Sequence, residues 1–208
     1  MVTANPNNIH AFETWRALDA WMREHHATAD ELWLKTHKKG SGLKSVTSAE
    51  ALDVMLCWGW IDGIRKGFDE QSFLQRYTRR RARSIWSQIN RVHVARLVKA
   101  KRMTPHGQKQ IDLAKADGRW DAAYAPIRGT RASGMPADLR KAIKANAKAE
   151  KMFHTLNSQN LFALRFRTNN MKTKEGRARK IAELVATLER GEMISRARVK
   201  QAKVRGKT

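Results

Sequence analysis

Leu56-Cys57-Trp58-Gly59-Trp60-Ile61-Asp62-Gly63 is the stretch from which the rest of the chain is read. Ala51, Leu52, Val54, Met55 and Leu56 lead into it as a largely buried helix that ends near Trp60. Thr47 and Glu50, three residues apart, open that helix as a capping box. Ile64 to Phe68 leads out as a strand. Gly59 and Gly63 allow close backbone approach or a positive φ, so a buried helix can stop here and a sheet can start. Asp62 stands at that junction, which is taken as the centre of the fold and of any pocket.

The flanking segments extend this pattern. Phe73 to Tyr77 pairs with Ile64 to Phe68 as an antiparallel hairpin around Asp69-Glu70-Gln71-Ser72. On its second strand, Phe73 and Gln75 face opposite to Leu74 and Arg76. Toward the N-terminus, Phe12, Trp15, Leu18 and Met22 recur at helical spacing between about Ala11 and His26, and Glu31 to His37 reads as a strand. Beyond the hairpin, Ser84 is expected to cap a helix carrying Ile85, Trp86, Ile89, Val92, His93 and Leu97. Thr104-Pro105 opens another.

Arg119 to Met135, with Pro126, Gly129, Ser133 and Gly134, is the best linker candidate. A helix from Pro136 carries Leu139, Ile143 and Ala147 and runs on toward Met152 and Phe153. Leu161 to Phe166 is a short apolar helix, and Lys174 to Arg190 a long one stopped by Gly191. The expectation is an α+β protein with a small antiparallel or mixed sheet, from segments near 31–37, 64–68 and 72–78, packed with helices. An all-helical C-terminal region follows. The expected division is 1–126, 127–194, and a basic, disordered tail at 195–208.

Composition bounds the function. The formal net charge of +23 predicts attraction to polyanions and anionic ligands, and it also fits a basic proteome. Cys57 is the single cysteine, which leaves no internal disulfide and no four-thiolate zinc site. The seven histidines lack metal-ligand spacing, so neither a metal nor any other cofactor is implied. Met1 to His10 is polar and does not read as a secretory signal, and no stretch approaches the roughly 20 apolar residues of a membrane span. The expected location is the cytoplasm; oligomeric state is not legible.

Asp62 either orders its turn or anchors a pocket, by accepting amide hydrogen bonds or pairing with Lys66 or Arg76. Trp58, Trp60 and Trp86 read as core, with a stacking wall as the alternative. Ser87 and Asn90 share a helix face, turned either into the fold or onto the lip of a pocket. An anion-binding site would therefore draw on Trp60, Asp62, Lys66, Arg76, Trp86, Ser87 and Asn90. The competing reading is nucleic acid on a basic face formed by Arg79, Arg80, Arg81 and Arg83, although no nucleic-acid-binding motif is matched. No second positioned carboxylate beside Asp62 is evident, so binding is favoured over catalysis.

Several motifs together resemble the YdeI or OmpD-associated family, also labelled bacteriocin-protection proteins. They run in order as ELWLKTHKKGSG, SAEALDVMLCWGWIDG, IRKGFDEQSFLQRYTRRRARSIWSQIN, RMTPHGQ, DGRWDAAY, NSQNLFALRFR and EGRARKIAELVATLERGE. Two departures stand out. Arg79 follows Thr78 where the family usually has proline, and the last helix opens Lys174-Glu175-Gly176-Arg177 rather than Pro-Glu-Thr-Arg. The resemblance implies a small α+β domain, a helical C-terminal region and a role in resistance to bacteriocins or cationic peptides, with no established reaction. It points to a non-enzymatic stress-protection protein whose ligand or protein partner is unspecified.

Overall fold

A computed structural model describes residues 3–125, 134–171 and 173–195. The chain divides into two compact units, Met1–Pro126 and Ile127–Thr208. Residues 126–133, at the centre of the expected linker, and the expected tail beyond Ser195 lie outside the described residues.

The first unit is built on a four-stranded mixed sheet. Its strands are β1 (Ile9–Ala11), β2 (Glu31–His37), β3 (Trp60–Gly67) and β4 (Ser72–Arg79), in the order β1-β2-β4-β3. β1 is parallel to β2, while β2/β4 and β3/β4 are antiparallel. Strand β1 was not expected, and β3 starts four residues earlier than the expected run at Ile64.

Pairing Leu32 with Tyr77 and Leu34 with Gln75 puts these four on one face, and Trp33, Arg76, Lys35 and Leu74 on the other. A β-bulge between Asp62 and Arg65 interrupts β3. Gln75 fills it. Its amide nitrogen donates to the carbonyls of Gly63 (3.0 Å) and Ile64 (3.3 Å), and its carbonyl accepts from Arg65 Nε at 2.9 Å.

The central helix of this unit is α2 (Ser48–Cys57), and α1 is Trp15–His25. The expected capping box at Thr47 and Glu50 is formed. Ala51, Val54 and Met55 pack with Leu18, Met22, Leu32, Leu34, Trp60 and Tyr77. Leu56 and Cys57, on the other side of α2, pack with Trp86, Val94, Leu97, Ile111 and Ala114. These last come from the segment before α3 (Gln88–Lys99), from α3 itself and from α4 (Pro105–Ala116). Each fully buried aliphatic side chain contributes about 1.5–3 kcal/mol, so a helix buried on both sides is the main apolar investment here.

The end of α2 is fixed by close approach. Gly59 has φ +76°, and a Cβ on Gly107 would lie 2.2 Å from the Cys57 carbonyl oxygen. Thr104 caps α4 through Gly107 N and donates its hydroxyl to that same Cys57 oxygen at 2.5 Å. Pro105 takes the first position of α4, as its spacing predicts.

In the second unit, α5 (Ala137–Lys144), α6 (Ala147–Thr155), α7 (Ser158–Asn169) and α8 (Lys174–Glu189) pack around Leu139, Ile143, Leu156, Leu164, Leu184 and Leu188. The single helix expected from Pro136 to Phe153 is two, because Asn146 leaves the helix to cap α6. No described helix is long and apolar enough to cross a membrane.

Candidate functional site

At the end of β4 the arginine run separates into individual roles. Arg79 is exposed and donates to the Ala27 carbonyl and to Asp30. Arg80 donates its backbone N–H to the Gly59 carbonyl at 3.0 Å, which turns its side chain inward. It is only 7% exposed. Arg81 and Arg83 are exposed on the following turn. The four arginines therefore do not make one continuous basic face.

Arg80 lies over Trp86, its guanidinium carbon 3.6 Å from the ring centroid. One terminal nitrogen, Nη1, donates to the Ile85 carbonyl at 3.2 Å. Nε and Nη2 are buried and have no partner among the described residues. These two N–H groups form the side-on fork that matches a carboxylate or phosphate bidentately. Burial pulls the Arg80 pKa down to about 10, against the pull of Asp62 and with the push of Arg119, so the group remains a cation at neutral pH.

Asp62 faces this cation. It is accessible to solvent, yet burial of its surroundings pushes its carboxyl pKa up, while its own backbone N–H, Arg80 and Arg65 act in the opposite direction. Across the ladder, Asp62 stands opposite Tyr77, whose phenol is pushed up first by burial and then by the Asp62 charge.

Tyr124 belongs to the same cluster. Its N–H donates to the Trp86 carbonyl at 3.1 Å, and its carbonyl accepts from Gln88 N at 2.9 Å. Its phenol is pushed up by burial and by Asp62, and pulled down by a hydrogen bond with Ser87 and by Arg80. Trp120 meets Trp86 edge-on at 4.9 Å.

Of the seven candidate ligand-binding residues, Asp62, Trp86 and Ser87 gather around Arg80. Ser87, not Ser84, caps α3, and its Oγ accepts from Asn90 N at 3.1 Å. Ser84 instead accepts from Arg81 N and closes a turn. Asn90 thus sits one turn into the helix behind its cap. Trp60 is core and donates to the His26 carbonyl. Arg76 pairs with Glu31 at 2.6 Å and not with Asp62. Lys66 lies over the Trp33 ring, on the same sheet face as Arg76.

One other polar cluster has a structural explanation. Asp53 accepts from Arg96 at 2.6 Å and contacts His93 at 2.9 Å, which ties α2 to α3. Cys57 is a buried thiol whose pKa is pushed up to about 11 by loss of water, which disfavours the thiolate at neutral pH. Among the described residues no three or more His, Cys, Asp or Glu side chains gather where they could hold a metal ion.

Sequence reading placed Arg80 with Arg79, Arg81 and Arg83 on a basic face, not beside Trp86, and missed Tyr124. Arg80 is one of five arginines between Arg76 and Arg83, and nothing local distinguishes it. Only the tertiary contact with Gly59 does so.

Comparison with known families places the two regions separately. Residues 133–191 match the family model described as Bacteriocin-protection, YdeI or OmpD-Associated. The resemblance read from the sequence is thereby supported over the C-terminal stretch. Residues 10–110 match a Domain of unknown function (DUF8412), and most of the motifs around Asp62 fall in that match. No curated protein and no solved structure gives a significant match.

Proposed function

We propose that the protein is a non-enzymatic, cytoplasmic stress-protection protein that binds an anionic small molecule or a peptide C-terminus on Arg80. The observation that carries this reading is the buried Arg80 fork, whose Nε and Nη2 donors are unmet among the described residues. A buried donor without a partner costs about 1–3 kcal/mol, and an arriving carboxylate removes that cost. Trp86 backs the guanidinium, Tyr124 lies beside it with its hydrogen bond to Ser87, and Arg119 adds positive potential. The protective role rests on the family description matched by residues 133–191. Because solvent does not reach the two donor atoms, binding requires local opening around Arg80.

The test is thermal unfolding with short peptides that end in a free carboxylate or in its amide. A ligand at a hundredfold excess over its Kd stabilises the folded state by about 2.7 kcal/mol. The carboxylate peptides should raise Tm, the amides should not, and Arg80→Met should lose the response. Equal responses to acid and amide, or a full response in folded Arg80→Met, would end the proposal. The protective role is checked separately, by survival of cells carrying Arg80→Met under cationic-peptide challenge.

A further inference from the structure

Helix α3 turns apolar side chains to the outside of the first unit. Val94 and Leu97 are buried, and the opposite side of the helix carries Val92, Ala95 and Lys99, with Ile89 beside Val92. Val92 is 70% exposed, Ile89 42%, and Ile85, just before the helix, 43%. A surface helix ordinarily places polar and charged residues on this side. Adjoining exposed aliphatic side chains on one face mark a surface that meets a partner.

The charge along this stretch has one sign. No Asp or Glu occurs between Glu70 and Asp112, so α3 itself carries none. Arg81, Arg83 and Lys99 are exposed, and their side chains make no hydrogen bond or ion pair among the described residues. Arg96 is held by Asp53 and Arg91 by the Trp120 carbonyl, so these two are already engaged. Arg81 and Arg83 lead into Ile85, and Lys99 ends the helix, which sets available cations before and after the aliphatic side chains.

We infer that this face docks on an anionic lipid bilayer. Helix α3 lies along the surface, Ile89 and Val92 enter the headgroup layer, and Arg81, Arg83 and Lys99 meet lipid phosphates. Exposed aliphatic side chains combined with cations, and with no acid among them, are the composition of a segment that rests in a negatively charged membrane interface. A second copy of the chain would set cations against cations. Nucleic acid would meet the cations and leave the aliphatic side chains unused, because its bases stack on aromatic rings. The assignment does not depend on the Arg80 fork and stands or falls without it.

The experiment is co-sedimentation of the full chain with vesicles of phosphatidylcholine mixed with phosphatidylglycerol, and with phosphatidylcholine alone. The mixed vesicles should carry the protein down and the neutral ones should not. A chain of net charge +23 is drawn to any anionic surface, so the deciding variant leaves the charge alone. Ile89→Ser combined with Val92→Ser should weaken binding to mixed vesicles about tenfold, with the far-ultraviolet circular dichroism unchanged. Arg83→Gln and Lys99→Gln should each weaken it about fivefold. In a second measurement, Val92→Cys is labelled with a polarity-sensitive fluorophore; Cys57 is buried, so the label goes to position 92. Its emission should move to the blue on mixed vesicles. Undiminished binding by the double variant, equal binding to neutral vesicles, or an unmoved label on vesicles that sediment the protein would overturn the inference. A blue shift that grows with protein concentration in the absence of vesicles would overturn it too, by giving the face to a second copy.

Discussion

The two units differ in how far they engage their buried polar groups. In the second, Asn160 is fully buried and engaged: its N–H and Nδ2 both donate to Asn157 Oδ1, and its Oδ1 accepts from Ser195 N at 2.7 Å. Thr168 donates to the Leu164 carbonyl, and its own carbonyl accepts from Arg177. In the first unit, the Arg80 fork, Trp86 Nε1 and the Thr36 hydroxyl are buried with no partner among the described residues. Each unmet group costs about 1–3 kcal/mol. The comparison also separates name from site: the named family match covers part of the second unit, and the open polar groups belong to the first.

The contrast is testable because the units can be observed separately. All seven tryptophans lie between Trp15 and Trp120, so their fluorescence reports on the first unit alone. The largest effect is expected in the second unit. Asn160→Ala removes the acceptor for Ser195 N and the bond to Asn157, and should cost about 2–3 kcal/mol in urea unfolding followed by helical circular dichroism. Tryptophan fluorescence should keep its midpoint. A cost below about 0.5 kcal/mol would mean that Asn160 is not holding its unit together.

Arg80→Met should have the opposite sign. Replacing a buried, incompletely paired cation by an apolar side chain of similar length is neutral or stabilising, here by about 1–2 kcal/mol in the fluorescence transition. A loss above about 2 kcal/mol would show that the fork is already satisfied in the folded protein, and the contrast between the units would disappear.

What could be read from the sequence depended on whether the deciding contact was local. The α2 capping box, Thr104-Pro105 at α4, and the β3/β4 hairpin are set by residues within a few positions of one another, and all were legible. Strand β1 has three residues and draws its pairing from β2, more than 20 positions away, so it leaves no local pattern. Ser84 and Ser87 are equal as caps in sequence. The choice falls on Ser87 because Trp86 is held under Arg80 and cannot enter the helix. In the site, Asp62 and Trp86 were legible as unusual residues at a junction. The roles of Arg76 and Lys66 were not, because Glu31 and Trp33, which engage them, lie on a distant strand.

A smaller effect follows from Asp53. Burial acts to raise its pKa, but hydrogen bonds from Arg96 and His93 outweigh burial and leave the carboxyl below its ordinary value near 3.8. A depressed folded pKa contributes stability that is complete above the ordinary value and is lost as pH falls through the folded one. Asp53→Asn should therefore be less stable at pH 7 by about 1 kcal/mol and should flatten the acid limb below pH 4 in fluorescence-detected unfolding. An acid limb as steep as that of the unsubstituted protein would move the source of acid sensitivity away from the α2–α3 tie.

The smallest expected difference lies in the helix caps, where the units again diverge. Thr47 caps α2 reciprocally: its hydroxyl accepts from Glu50 N and donates to the Glu50 carboxylate, which also accepts from Thr47 N. Thr173 caps α8 with one bond, from Gly176 N at 3.0 Å, because a glycine at that position has no side chain to reach back. Losing a threonine cap costs about 0.5–2 kcal/mol, with the reciprocal form toward the upper end. Thr47→Ala should lower the fluorescence midpoint by more than Thr173→Ala lowers the dichroism midpoint, by a margin of about 0.5 kcal/mol. The same margin in reverse would mean that the Glu50 carboxylate holds the start of α2 without its threonine.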